Sequence, residues 1–193
     1  MLFRSLASRG ASGIDGTFST AAGAALAHAA DHPGTVAFAL IWDLSLLHDA
    51  PGLSIGPGEP RPDLCVIVVN NDGGGIFEGL EPARFGGGVS GRPPTDRPQT
   101  ALTVFERTFG TPHGAAIEHL AAAFGLPYTL AERPGEIAKA VAATVPGSGP
   151  RIVEARTSRA LNADLRAHLS AAALAALASP PSSGWRRADD REG

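Results

Sequence analysis

An unbroken apolar run from Leu64 to Val69, followed at once by polar residues and glycines, restricts the possible folds most strongly. A strand that is apolar at every position is buried on both faces, which is typical of a parallel sheet covered by helices. A second apolar run, Val36 to Ile41, ends in the same way at Trp42. Because such strands alternate with segments of helical periodicity, the sequence predicts an α/β fold with a doubly wound, mostly parallel sheet flanked by helices.

The remaining periodic segments complete this organisation. We predict helices over Ser12–Ala30, Ser45–Asp49, Gly114–Phe124, Pro134–Thr144 and Asn162–Ala178, and strands over Pro127–Ala131 and Arg151–Ala155. Asp15 or Ser12 is expected to cap the first helix. One domain is predicted over residues 1–178, with a mobile Gly- and Pro-rich loop at 86–100 and a disordered tail at 179–193.

Composition excludes several classes of function. The 193 residues carry a net charge of −3 without any basic run, so phosphate contacts to a nucleic acid have no visible source. The single cysteine, Cys65, lies inside an apolar strand and is interpreted as a buried residue. The Ala- and Leu-rich stretch from Leu161 to Ala178 contains charged residues and is no membrane span. We therefore expect a cytoplasmic protein that binds neither nucleic acid nor membrane.

Polar residues follow both apolar strands, at the sheet edge where open parallel sheets bind ligands. Asp43 and Ser45 follow the first strand, whereas Asn71 and Gly73 follow the second. Carboxylate, amide and carbonyl oxygens suit Mg²⁺, and a glycine run lets the backbone approach a bound diphosphate. The sequence therefore predicts a metal–diphosphate site in which Asp43 is the best single ligand. The alternative is two ordinary strand-to-loop turns of turn-forming composition.

Three other side chains are candidates for a role in binding or catalysis. Arg9 begins a glycine-punctuated turn that leads into the first helix, where it would clamp a carboxylate. This turn matches neither a dinucleotide-binding motif nor a nucleotide P-loop. His48 and His113 have the chemistry of an acid or base near neutral pH, but we interpret both as polar surface residues.

Taken together, these segments resemble the carboxy-terminal, diphosphate-binding domain of thiamine-diphosphate enzymes, whose motif is Gly-Asp-x-Ser followed by Asn-Asn. Within that superfamily the sequence looks like the menaquinone-pathway synthases that make 2-succinyl-5-enolpyruvyl-6-hydroxy-3-cyclohexene-1-carboxylate. The similarity runs from about Leu6 to about Leu169, and it rests on the motifs Arg9–Gly16, Leu46–Asp49, Asn71–Phe77 and Phe109–His113.

The resemblance implies a thiamine-diphosphate-binding fold, a transferase activity and a role for each matching residue. Asp43, Asn71 and the Gly73 carbonyl would hold Mg²⁺ (or Mn²⁺). Ser45 would contact the diphosphate, and Ile14 would support the bent conformation of the cofactor. Arg9 would bind a substrate carboxylate, and the substrate pocket would be lined by Ile76, Phe77 and Leu80. The implied reaction decarboxylates 2-oxoglutarate and adds the resulting succinyl-semialdehyde carbanion to isochorismate.

Two departures from the family pattern define further expectations. The chain lacks the family's pyrimidine-binding domain, which carries the glutamate that activates the cofactor, so the implied partner is that domain of a second subunit in a homo-oligomer. Trp42 stands where the family has glycine, and its indole is expected to crowd the diphosphate. The alternatives are a non-catalytic remnant or partner-dependent module, and a related enzyme for another 2-oxo acid, such as acetolactate synthase.

Overall fold

A four-stranded, wholly parallel sheet forms the centre of the computed structural model, which describes residues 5–7, 13–81, 83 and 103–178. The strands lie in the order β1-β2-β4-β3. Their bounds are β1 (Ala37–Trp42), β2 (Leu64–Asn70), β3 (Tyr128–Ala131) and β4 (Arg151–Arg156). The predicted α/β fold with a parallel sheet is confirmed, and the long apolar run forms β2, a central strand.

Helices follow the strands on both sides of the sheet. The helices of the described ranges are α1 (Thr17–Asp31), α2 (Asp43–His48), α3 (Ile117–Ala123), α4 (Pro134–Ala142) and α5 (Arg159–Ala178). Tight 3₁₀ turns occupy Ala50–Leu53 and Gly75–Gly79, and a wider π-helical turn occupies Glu106–Gly110. In the part of the chain that the structure describes, no helix is long and apolar enough to cross a membrane.

The two faces of the sheet carry separate apolar cores, because successive side chains of a strand point to opposite faces. Val66 and Val68 of β2 pack with Phe18 of α1 and Ile117 of α3. Cys65 packs on the other face, in a smaller cluster to which α4 contributes. Helices on both faces are the doubly wound arrangement that the sequence predicts, and the expected burial of Cys65 is confirmed.

The outer face of β1 is much more exposed than the rest of the sheet. Phe38, Leu40 and Trp42 are 51%, 72% and 59% exposed. Phe38 pairs in register with Cys65, so these side chains share the face that the smaller cluster covers elsewhere. Trp42 therefore stands at an exposed edge of the sheet, directly before Asp43.

Four helices begin at other residues than predicted, and α2 begins at Asp43, two residues before the predicted Ser45. Helix α1 begins at Thr17, because Gly16 adopts a left-handed conformation (φ 66°). The expected cap Asp15 does not cap α1, since no side chain of the described residues makes a capping hydrogen bond there, and Ser12 lies outside the described residues. Helix α3 begins three residues later than predicted, after Gly114 at φ 57° and an extended Ala116. Helix α5 begins at Arg159, earlier than predicted. The predicted loop at 86–100 and tail at 179–193 lie outside the described residues.

Candidate functional site

Asp43 lies at the centre of the candidate site, fully buried at the carboxyl end of β1 and in the first turn of α2. Its Oδ2 atom accepts hydrogen bonds from the backbone N–H groups of Gly73 (2.9 Å) and Asn71 (3.2 Å). Its Oδ1 atom accepts one from the Leu44 N–H at 2.8 Å. Because β1 and β2 are neighbouring parallel strands, their carboxyl ends bring these three predicted site residues together.

Residues 70–75, here called the asparagine turn, contain two adjacent asparagines with different environments. Asn70 is buried; its amide nitrogen donates to Glu154 at 2.9 Å, and its Oδ1 accepts the Asp72 N–H at 3.0 Å. Asn71 Oδ1 is also buried, but it has no hydrogen-bond partner within the described residues. Asn70 therefore supports the turn, whereas Asn71 holds an oxygen whose bonding capacity is unused.

A buried carboxylate beneath the turn was missed by sequence reasoning. Glu154 is fully buried on β4; besides Asn70 it accepts hydrogen bonds from the Tyr128 hydroxyl (2.6 Å) and from Arg156 Nε (3.0 Å). Burial, and then the bond to Glu154, raises the pKa of Tyr128. The available signal was a charged residue in the middle of an apolar strand, which is rare without partners.

The glycines of the asparagine turn lie against the backbone of residues 109–111. The Gly74 N–H donates to the Gly110 carbonyl at 2.8 Å. A Cβ atom on Gly73 would collide with the same carbonyl, and Gly73 has a φ of 125°, which favours glycine. The sequence predicted that glycine would admit a ligand; in this structure the close neighbour is protein backbone.

His113 lies against Asp43, so its interpretation as a surface residue is wrong. Its side chain is only 13% exposed, and Nε2 lies 3.2 Å from Asp43 Oδ2. Its backbone N–H, together with that of Gly114, donates to Asp72 Oδ1, at 3.1 and 2.8 Å. Residues 110–114, here called the histidine segment, thus fold back over the asparagine turn. His48, by contrast, is exposed as expected.

The other predicted site residues are distributed around this centre. Ser45 is buried in the first turns of α2, two residues after Asp43. Ile14 lies before α1 and is 39% exposed. Ile76 and Leu80 are 75% and 51% exposed in the segment that follows the asparagine turn. Arg9 lies outside the described residues.

Phe77, one of the predicted substrate-pocket residues, packs against Phe109; the two ring centroids lie 5.6 Å apart. Phe105 packs on Phe109 in turn, at 5.8 Å. Of the predicted pocket residues, Phe77 is therefore anchored, whereas Ile76 and Leu80 present apolar surface.

A buried ionic cluster ties the same segment to α5. Arg159 donates to Glu106 at 2.8 Å and lies 3.6 Å from Glu78. Burial raises the pKa of Glu78 above its usual value, and the Arg159 guanidinium opposes that shift. Sequence reasoning missed this cluster, because its members are far apart along the chain and each occurs in an unremarkable polar segment.

The donor set at the site is one carboxylate with neutral oxygens. Among the described residues, no group of three or more His, Cys, Asp or Glu side chains is placed to hold a metal ion. A cation bound at Asp43 would need amide, carbonyl, water or ligand oxygens for its remaining positions. Such a mixed shell is how Mg²⁺ is usually held beside a phosphate ligand.

Comparison with known proteins gives close relatives of one kind. The 2-succinyl-5-enolpyruvyl-6-hydroxy-3-cyclohexene-1-carboxylate synthase of Thermobifida fusca (strain YX) is 53% identical over 174 residues, covering 90% of this chain and 28% of that protein. The synthases of that name from Nocardia farcinica (strain IFM 10152) and Rhodococcus erythropolis (strain PR4) are 47% and 45% identical, over 87% and 86% of this chain. The chain spans about a quarter of the length of these curated relatives. No family model matches the sequence.

Solved structures also align with this chain, and two of them cover 74% and 71% of it. The thiamine diphosphate-dependent 4-hydroxybenzoylformate decarboxylase of Rhodococcus jostii RHA1 is 22% identical, with a TM-score of 0.48, over 74% of this chain and 23% of its own. The benzoylformate decarboxylase of Polynucleobacter necessarius is 17% identical, with a TM-score of 0.49, over 71% and 22%.

Proposed function

We propose that this chain, which belongs to the family of 2-succinyl-5-enolpyruvyl-6-hydroxy-3-cyclohexene-1-carboxylate synthases and spans about a quarter of their length, binds the diphosphate end of thiamine diphosphate through Mg²⁺. The observation that carries the proposal is the pairing of buried Asp43 with the unpartnered Oδ1 of Asn71. A buried amide oxygen without a partner is costly unless a ligand satisfies it.

The residues present fit a hard divalent cation. Among the described residues, Asp43 Oδ1 accepts only the Leu44 N–H, which leaves a lone pair for a cation. Asn71 Oδ1 has both lone pairs unused, and the Gly73 carbonyl accepts one hydrogen bond, from the Gly75 N–H at 3.0 Å. Oxygen ligands of this kind are what Mg²⁺ or Mn²⁺ prefers.

In the proposed mechanism this chain supplies binding and positioning. Asp43, Asn71 and the Gly73 carbonyl would hold the cation, and the Ser45 hydroxyl would donate to a diphosphate oxygen. Thiamine diphosphate, when bound, supplies the carbanion chemistry that decarboxylates 2-oxoglutarate and joins the four-carbon unit to isochorismate.

The remaining candidate residues would act on the substrates and on the cofactor's shape. Ile14 would support the bent conformation of the cofactor, and Arg9 would bind a substrate carboxylate. Ile76, Phe77 and Leu80 would form an apolar wall that excludes water from the reacting carbon. The pyrimidine-binding domain of a second subunit would complete the site in a homo-oligomer.

A second candidate function, a binding module without catalysis, is favoured by Trp42. Its backbone is extended (φ −90°, ψ 158°), a conformation open to any residue, so the fold accommodates tryptophan in the place of the family's glycine. The indole, 59% exposed, adjoins Asp43 in the chain and would occupy space near a bound diphosphate. Cofactor binding by such a module would be weak.

Calorimetric titration with thiamine diphosphate, with and without Mg²⁺, tests the proposal on the wild-type chain and on Trp42→Gly. We expect Mg²⁺-dependent binding that is tighter in the glycine variant. Weak wild-type binding restored by the substitution would support the second candidate. If neither form binds in the presence of Mg²⁺, the proposed site is wrong.

A further inference from the structure

We infer that His113 is a positioning residue for Asp43, which it holds so that only Oδ1 of the carboxylate is available to a cation. The inference deepens the proposed function and rests on it. It starts from a contact that joins residues 70 positions apart in the chain, His113 Nε2 to Asp43 Oδ2 at 3.2 Å.

The hydrogen bonds of the imidazole determine which of its nitrogens donates. Nδ1 accepts the backbone N–H of Ala115 at 2.9 Å, so a neutral ring carries its proton on Nε2. That proton faces the carboxylate of Asp43, and His113 is therefore a hydrogen-bond donor to Oδ2. Both nitrogens are engaged, which leaves the ring no free position from which to act on a substrate.

The two carboxylate oxygens of Asp43 are contacted by different numbers of hydrogen-bond donors. Oδ2 is surrounded by three donors, the N–H groups of Asn71 and Gly73 and the imidazole of His113. Within the ranges that the structure describes, Oδ1 accepts only the Leu44 N–H. Since a carboxylate oxygen has about two lone pairs, Oδ2 is saturated and the remaining capacity lies on Oδ1.

The histidine segment is itself fixed, so the donor is preorganised. Asp72 Oδ1 accepts the N–H groups of His113 and Gly114, and Gly110 accepts the Gly74 N–H. The Nδ1 atom lies 3.6 Å from Asp72 Oδ1, which is occupied by those two backbone donors. Groups that orient a metal ligand in this way commonly contribute about 10- to 100-fold to metal affinity.

Electron paramagnetic resonance titration with Mn²⁺ in the presence of thiamine diphosphate measures the predicted effect on the full chain. We expect His113→Leu, which removes the donor, to weaken Mn²⁺ affinity by roughly 10- to 100-fold. His113→Gln keeps an N–H near the position of Nε2 and should restore part of the affinity. His119→Leu is the matched control, because His119 is exposed on α3, and should bind as the wild type does.

The outcomes separate the inference from the proposal on which it rests. Wild-type affinity in His113→Leu would overturn the positioning role and leave the proposed function intact. No Mn²⁺ binding by the wild type would overturn both. If His113→Leu does not fold, His113→Gln and the ¹⁵N shifts of the wild-type imidazole decide: a proton on Nδ1 instead of Nε2 would contradict the inference.

Discussion

Two adjacent side chains, Asn70 and Asn71, have different hydrogen-bond environments in the candidate site. Asn70 forms hydrogen bonds with buried Glu154 and with the Asp72 N–H, so its side chain stabilises the turn. Asn71 keeps a buried oxygen that nothing in the described chain satisfies. The sequence predicted the site at this pair, but it contained no signal that would divide the two roles, because the division depends on a partner 84 residues away.

The division predicts opposite phenotypes for two alanine variants. Asn70→Ala should lower the free energy of unfolding by about 1–3 kcal/mol, since Glu154 loses a buried donor. Asn71→Ala should not lower it, because within the described residues no hydrogen bond of its Oδ1 is lost and a buried unsatisfied oxygen is removed, yet should abolish Mg²⁺-dependent cofactor binding. Urea unfolding and calorimetry measure the two effects. A stable Asn70→Ala or a binding-competent Asn71→Ala would contradict these assignments.

At the scale of elements, the site is assembled where the asparagine turn meets the Glu106–Gly110 turn and the histidine segment. The contact requires glycine at position 73, since a Cβ there would collide with the Gly110 carbonyl. Arg159 of α5 connects the Glu106–Gly110 turn to the Gly75–Gly79 turn by contacting Glu106 and Glu78.

Alanine substitution at two glycines tests this assembly. Gly73→Ala combines a left-handed φ of 125° with a backbone collision and should cost about 1–3 kcal/mol of unfolding free energy. Gly23→Ala is the control: it lies within α1 with nothing near its Cβ position, and should stabilise by roughly 0.5–1 kcal/mol. Denaturant unfolding of both variants measures the contrast. An unchanged Gly73→Ala would show that the turn does not need this contact.

The raised pKa of Glu78 predicts a pH dependence of stability. A carboxyl whose folded pKa lies above its usual value of 4.5 stabilises the fold below that pH and loses this contribution as the pH rises through the folded pKa. Glu78→Gln should therefore be more stable than the wild type at pH 7–8, an advantage that disappears as the pH falls toward 4.5. Urea unfolding across this range measures it, with the exposed Glu59→Gln as control. A wild-type-like pH profile in Glu78→Gln would contradict the claim that burial of the ionised Glu78 carboxylate lowers the stability of the fold.

Sequence reasoning located the strands and Asp43 because hydrophobic runs and strand-end polarity are local properties. It misplaced the starts of α1 and α3, which depend on the conformations of Gly16 and Gly114. It also missed the buried contacts of His113 and Glu154. Those contacts join distant segments, which no local pattern encodes.

At the scale of the whole molecule, the parallel sheet explains the position of the proposed site. Its strand order places the carboxyl ends of β1 and β2 side by side, and Asp43 meets the asparagine turn there. The chain nevertheless spans about a quarter of its relatives' length. We propose, from the family resemblance, that the glutamate that activates the cofactor is supplied by the pyrimidine-binding domain of a second subunit.

The isolated chain is therefore predicted to bind thiamine diphosphate without turning over. Incubation with 2-oxoglutarate, isochorismate, cofactor and Mg²⁺ should release carbon dioxide at no more than the rate of an Asp43→Ala control. The measurement is radiometric carbon dioxide release. Turnover above that control would show that these 193 residues contain a complete catalytic site.

The proposed cation site can be observed in a crystal structure of the chain grown with Mn²⁺ and thiamine diphosphate, with anomalous diffraction recorded at the manganese edge. We expect one strong anomalous peak within about 2.5 Å of both Asp43 Oδ1 and Asn71 Oδ1, beside the diphosphate. A cofactor bound elsewhere, or a manganese peak that leaves Asn71 Oδ1 without a ligand, would contradict it.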